Sequence, residues 1–142
     1  INIALINLFV ESFENIGELL QLTDICGGNY PKDRAIISVL IENGFNINKP
    51  NWTGRTFLHK CAEEDDVETA DVLLQFGANI EAIEAVYGET PLASAARCGK
   101  VKMVTFLKEK GADISGDSNK PWTQPVLIAE SKGHVDVMAA LK

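Results

Sequence analysis

The stretch Gly88-Glu89-Thr90-Pro91-Leu92-Ala93-Ser94-Ala95-Ala96 decides the fold, because its pattern also occurs 34 residues earlier in the chain. At this offset residues 51–84 and 85–118 share nine identical positions, among them Thr56 with Thr90 and Leu58 with Leu92. Random pairing would give about two identities over such a length. A further step of 34 residues aligns Val126 with Leu92. The sequence therefore predicts an array of stacked units rather than a globular core.

Each unit has the local chemistry of two short helices. Thr90 is suited to cap the first helix, and Pro91 to its first turn, where a missing N–H costs nothing. Gly99 ends this helix, since glycine readily adopts a positive φ. A second helix is predicted from about Val101 to Lys110. Helices this short are marginal alone, so each must bury its apolar side on the neighbouring units.

The repeated motifs resemble those of the ankyrin-repeat family. The matching segments are Thr-Phe-Leu-His at 56–59, Thr-Pro-Leu at 90–92, Gly-Ala-Asn-Ile at 77–80 and Gly-Ala-Asp-Ile at 111–114. The resemblance implies an all-α solenoid of stacked helix-turn-helix units with β-hairpin-like fingers. It also implies non-catalytic binding of a protein partner through the concave groove and the fingers.

Four positions depart from the family motif. Phe57 replaces the motif proline and Ala93 the histidine, Asp65 stands where a helix-breaking glycine belongs, and Trp122 replaces a finger glycine. The last unit is therefore predicted to have an altered finger.

We expect one domain over residues 1–142. Residues 1–31 would be divergent N-terminal helices or a cap, 32–50 the second helix and finger of an early repeat, 51–84 and 85–118 two repeats, and 119–142 a C-terminal repeat. A first helix is predicted at 13–26, followed by an enlarged loop at 27–31 and a second helix at 32–43. Residues 1–10 are either the second helix of a still earlier unit or an N-terminal cap.

Composition narrows the class of function. The net charge of −7 argues against nucleic acids and anionic membranes as partners, and no apolar run approaches the ~20 residues of a membrane span. Three widely spaced cysteines indicate neither a disulfide framework nor a metal site, so we expect reduced thiols, no cofactor and an intracellular, cytoplasmic location. Because the chain starts at Ile1, we expect it to be a piece of a longer product.

No catalytic constellation can be assembled from the sequence. His59 and Cys61 are two residues apart on a predicted helix and so do not face each other. The resemblance implies a structural histidine that bonds to a neighbouring unit, and Cys61 aligns with the core alanines Ala95 and Ala129. His134 is interpreted in the same way. We therefore expect no enzymatic activity.

The acidic run at residues 63–68 invites a second interpretation as a site for a basic partner. Adding the repeat period instead predicts that the run is neutralised by the next unit, through the pairs Glu63–Arg97, Asp66–Lys100 and Glu68–Lys102. Equivalent positions on stacked helices lie ~8–10 Å apart, within reach of long side chains. Glu64 and Asp65 would then remain for a partner.

Aromatic residues precede the first helix of three successive units, where the fingers are expected. Such residues are favoured at protein interfaces, although Trp122 could fold back over the last unit. The expected contact surface includes Trp52, Thr53, Arg55, Val86, Tyr87, Glu89, Lys120 and Trp122 near the fingers. On the inner helices it includes Glu63, Glu64, Arg97, Cys98, Ser131 and Lys132, with Cys98 partly exposed. The alternatives are a solvated face, or a regulatory or scaffolding segment of a larger effector or enzyme. A monomer is favoured.

Overall fold

A computed structural model describes residue 4 and residues 32–142 of the chain. The helices predicted at 1–10 and 13–26 and the loop predicted at 27–31 lie outside the continuous described segment. Residues 32–142 contain seven α-helices and no strand. They are α1 (Arg34–Glu42), α2 (Phe57–Glu64), α3 (Val67–Gln75), α4 (Pro91–Arg97), α5 (Val101–Glu109), α6 (Pro125–Lys132) and α7 (Val135–Leu141). No helix within residues 32–142 has the length and apolar character to cross a membrane.

The helices stack as hairpins in a row, which confirms the all-α solenoid. The inner helix α4 packs between α2 and α6, and α5 packs between α3 and α7. Leu58 and Leu92, one period apart, are both buried in this core, as is Leu107 in α5. Val126 aligns with them in sequence but is 36% exposed, since no described helix stacks on the outer side of α6.

The local signals read from residues 88–111 are confirmed. The Thr90 side chain accepts a hydrogen bond from the backbone N–H of Ala93 at 3.3 Å, with Pro91 in the first turn of α4. Gly99 has a φ of 68° and separates the two helices. An added Cβ at Gly99 would lie 2.9 Å from the ring of His134. This position therefore requires glycine for space as well as for backbone conformation.

Asp65 occupies the corresponding turn between α2 and α3. Its φ of 60° makes it the one residue other than glycine with a positive φ in the described chain. The carboxylate also crosses to the next unit, where Oδ1 accepts the backbone N–H of Met103 at 3.0 Å. Asp65 thereby caps α5, whose own N-cap residue, Lys100, forms no side-chain capping bond.

The fingers are tight turns folded around a side-chain oxygen. In the first, Asn51 Oδ1 accepts the backbone N–H groups of Thr53 at 3.0 Å and Arg55 at 2.9 Å. In the second, the buried carboxylate of Glu84 accepts three backbone N–H groups between Val86 and Glu89. A backbone hydrogen bond of 2.8 Å from Ala85 to Thr53 links the two fingers. The third is altered as predicted, because Pro121–Thr123 forms a 3-10 turn.

Candidate partner-binding face

The predicted finger aromatics are exposed. Trp52 is 94% exposed, and Tyr87 and Trp122 are each more than half exposed. Val86 is exposed beside Tyr87, and so is Ile83, which the sequence interpretation missed. Exposed apolar side chains therefore occur in all three described fingers.

The predicted structural role of His59 is confirmed. The ring is fully buried, with Nε2 lying 3.0 Å from the backbone carbonyl oxygen of Glu89 in the next unit. Nδ1 accepts the backbone N–H of Thr56 at 3.2 Å. Because a carbonyl can only accept and an N–H can only donate, these partners fix a neutral ring protonated at Nε2. Burial is the main cause of a pKa below the ordinary 6.5.

Cys61 is buried in the core, as predicted, and Cys98 is partly exposed. His134, at the N-terminal cap of α7, also bonds to a neighbouring unit, with Nε2 lying 3.0 Å from the carbonyl oxygen of Arg97 in the preceding unit. Both histidines thus hold neighbouring units together through backbone carbonyl groups. Residues 32–142 hold no cluster of three or more His, Cys, Asp or Glu arranged to bind a metal ion.

Charged residues of opposite sign alternate along the inner helices α2 and α4 and the fingers that precede them. Arg55 pairs with Glu63, which also accepts from Arg97 Nη2 at 2.9 Å. Arg97 Nε donates to both carboxylate oxygens of Glu89, at 3.1 and 3.0 Å. Burial alone would lower the pKa of Arg97, but its bonds to Glu89 and Glu63 raise it. The predicted Glu63–Arg97 pair is therefore confirmed as part of a larger network.

Glu89 differs from the expected contact residue, because it is only 3% exposed. One carboxylate oxygen also accepts from the Ser94 hydroxyl at 3.2 Å. Glu89 is thus a supporting residue that holds Arg97 in place from below the surface. The other thirteen predicted contact residues are at least partly exposed.

The other ion pairs predicted for the acidic run at residues 63–68 were wrong, because these carboxylates have different partners. Asp66 pairs with Lys32 of the preceding unit at 3.2 Å, rather than with Lys100, and it caps α3 by accepting from Thr69. No Glu68–Lys102 ion pair forms within 4.0 Å among the described residues. Glu64 and Asp65, expected to remain for a partner, have internal ones: Glu64 pairs with Lys60 at 2.8 Å, and Asp65 caps α5.

A groove of about 370 Å³ opens where the last finger meets α6. It is lined by Glu89, Arg97, Pro121, Trp122, Leu127, Ile128, Ser131 and Lys132. Trp122 stays more than half exposed and does not fold back to seal the last unit. The sequence interpretation had named five of these eight residues and missed Pro121, Leu127 and Ile128. The available signal was Leu127, a bulky side chain at the position of Ala93 and His59 in the earlier units.

Comparison with known proteins gives a consistent result. The family profile described as ankyrin repeats (3 copies) matches residues 26–118. The chain is 32% identical over 98 residues to glycerophosphocholine phosphodiesterase gde1 of Schizosaccharomyces pombe, covering 69% of this chain and 8% of that protein. It is 36% identical over 78 residues to protein fem-1 homolog A-like of Mus musculus, covering 55% and 12%.

A third similar protein is ankyrin repeat and KH domain-containing protein mask-1 of Caenorhabditis elegans. It is 29% identical over 112 residues, which cover 77% of this chain and 4% of that protein. The chain thus spans between 4% and 12% of the length of these three relatives. Repeats of the matched kind are generally non-catalytic modules for protein interaction.

Proposed function

The chain belongs to the ankyrin-repeat family, and we propose that it binds a protein partner through the concave groove and the finger surface, without catalysis. The observation that carries this proposal is the exposure of Trp52, Tyr87 and Trp122 in three successive fingers. Tyrosine and tryptophan offer a large, rigid contact area and are frequent among the residues that dominate binding energy. Asn51 and Glu84 hold the backbone of the first two fingers in tight turns, so little backbone ordering cost is expected on binding.

The charge network supports a protein rather than a nucleic acid as partner. Arg55, Glu63, Arg97 and Glu89 neutralise one another along the concave side. Nucleic-acid binding needs a basic stripe that is free to contact phosphates, whereas this chain has a net charge of −7. The contact residues proposed are the exposed members of the predicted set, with Glu89 acting beneath them.

A second candidate function is suggested by the lengths of the relatives. One of them is a phosphodiesterase of which this chain matches only 8%. The second proposal is that the repeats form a regulatory or scaffolding segment of a larger effector or enzyme, with the partner domain in the same polypeptide. The concave surface would be used in either case, so both functions require the same finger residues.

The experiment is affinity capture from an extract of the source cells, comparing the unsubstituted chain with Trp52→Ala/Tyr87→Ala. We expect the double variant to lose the specifically captured protein while its unfolding midpoint stays nearly unchanged, because both rings are exposed. Val135→Ala is the matched control: Val135 is 71% exposed but lies on α7, away from the fingers. Equal capture by the double variant, or equal loss in the control, would contradict the proposal.

A further inference from the structure

The groove beside Trp122 differs from the same region of the earlier units. Trp122 stands where the first two fingers have Gly54 and Gly88, and Lys132 where the inner helices have Glu64 and Cys98. Leu127 is 39% exposed, whereas the residues at its position in the preceding units are buried. The last described unit thus combines an exposed aromatic ring, exposed aliphatic surface and an ammonium group.

Two of the positively charged side chains in or beside this groove form no ion pair with an acidic residue of the described chain. Arg97 is occupied by Glu63 and Glu89. Lys132 and the nearby finger residue Lys120 are exposed, and neither forms an ion pair within 4.0 Å among the described residues. The carboxylate of Glu89 accepts hydrogen bonds from Arg97 and Ser94. An incoming carboxylate would therefore meet available positive charge, although the whole chain is acidic.

The spacing of the lining residues fits an extended ligand. Ile128 and Lys132 are four residues apart on one face of α6, which separates them by about 6 Å along the helix. Residues i and i+2 of an extended peptide point to the same side and are separated by ~6.6 Å. One such pair can place an apolar side chain against Trp122 and Ile128 and a carboxylate at Lys132.

We propose that this groove binds an extended segment of a partner protein that carries a bulky apolar residue and, two residues along, an acidic residue. This inference rests on the proposed function and adds the chemistry of the partner at one end of the surface. The apolar residue fills the space between Trp122, Leu127 and Ile128. The acidic residue pairs with Lys132.

The experiment is a titration of the isotopically labelled chain with the peptide acetyl-Thr-Leu-Thr-Glu-Thr-amide, followed by amide NMR shifts. We expect a dissociation constant on the order of 10⁻⁴ M for so short a peptide, with shifts centred on Trp122, Leu127 and Lys132. Replacing the peptide Glu by Gln should weaken binding about fivefold, the effect of losing one exposed charge pair. Replacing its Leu by Ser should weaken binding at least as much.

Charge exchange separates recognition from unspecific attraction. Lys132→Glu should weaken the acidic peptide about tenfold, since attraction becomes repulsion, and should improve binding of the peptide with Lys in place of Glu. Lys102→Glu is the matched control, because Lys102 is exposed on α5 and the net charge changes equally. Trp122→Gly, which restores the residue of the first two fingers, should weaken every peptide.

Three results would overturn the inference. They are no shifts in the groove up to millimolar peptide, an equal effect of Lys102→Glu and Lys132→Glu, and self-association of the chain that Trp122→Gly abolishes. The last would make a second copy of the chain the occupant. If the peptide does not bind, but Trp52→Ala/Tyr87→Ala still fails to capture the partner protein, this inference is refuted and the proposed function stands. Peptide binding with unchanged capture would refute only the role of the first two fingers.

Discussion

Substitutions of Asp65 should separate two contributions to stability: the cost of its left-handed backbone conformation and the hydrogen bond that its side chain makes to the next unit. Asp65 adopts a left-handed conformation with φ 60° and also accepts the Met103 N–H at the start of α5. Loss of a capping acceptor costs ~1 kcal/mol. A side chain in the left-handed region costs ~1–2 kcal/mol relative to the right-handed conformation, and glycine avoids this cost.

These magnitudes predict an order of stability. Asp65→Gly loses the cap but relieves the backbone, so the free energy of unfolding should stay within about 1 kcal/mol of its original value. Asp65→Ala loses the cap without relief and should fall about 1 kcal/mol below Asp65→Gly. Asp65→Asn keeps the acceptor and tolerates the conformation, losing only ~0.3–1 kcal/mol of charge interaction with the helix end.

Urea unfolding measures these differences, and Gly133→Ala calibrates the backbone effect. Gly133 has a φ of 73° with open space where a Cβ would lie, so this substitution should cost only the left-handed penalty. Hydrogen exchange at the Met103 amide reports the cap directly and should become about fivefold faster in Asp65→Ala but not in Asp65→Asn. Equal stability of the Ala and Gly variants, or an unchanged exchange rate at Met103, would refute this reasoning.

Two further predictions concern the core and the second finger. Leu92→Ala or Leu107→Ala should lower the free energy of unfolding by ~2–5 kcal/mol, because both side chains are fully buried; a loss below ~0.5 kcal/mol in urea unfolding would contradict their placement. Burial alone would raise the pKa of Glu84, but the N–H donors of Glu89, Val86 and Tyr87 lower it below 4.5. The ionised carboxylate of Glu84 should therefore stabilise the fold fully above about pH 4.5. This stabilisation should be lost as the pH falls through the lower pKa that Glu84 has in the folded protein. In Glu84→Gln the melting temperature should therefore depend less on pH between pH 5 and 3 than it does in the unsubstituted chain. The same pH dependence in the two chains would contradict this prediction.

The sequence predicted the elements whose causes are local. Thr90 and Pro91 define the start of α4 by themselves, and Gly99 ends it through its own backbone. The repeat period then placed Glu63 beside Arg97, because both sit on the inner helices at equivalent positions. The division of the chain into one domain with the boundaries given above stays a prediction.

The sequence could not predict interactions that depend on the direction of a side chain. Period alone put Asp66 over Lys100, but its carboxylate is used at the start of α3 and meets Lys32 from the opposite side. Asp65 was recognised as unusual, yet its bond to Met103 depends on the left-handed backbone that aims the side chain across the junction. Burial of Glu89 likewise follows from Ser94 and Arg97 gathering around it.

The charge network has a consequence for where binding energy can arise on this face. Arg97 already has its hydrogen bonds to Glu63 and Glu89, so a partner that competed for them would have to break a formed pair. Apart from the exposed side chains Val86 and Tyr87 of the second finger, free contact surface remains at the two ends, around Trp52 in the first described finger and around Lys132 in α6. These ends are two units apart, or ~16–20 Å at the usual helix spacing. A segment that touched both would need about five or six extended residues. An extended peptide reaches both ends with few residues, because its backbone can pass over the ion pairs of Arg97 while its side chains contact the two ends.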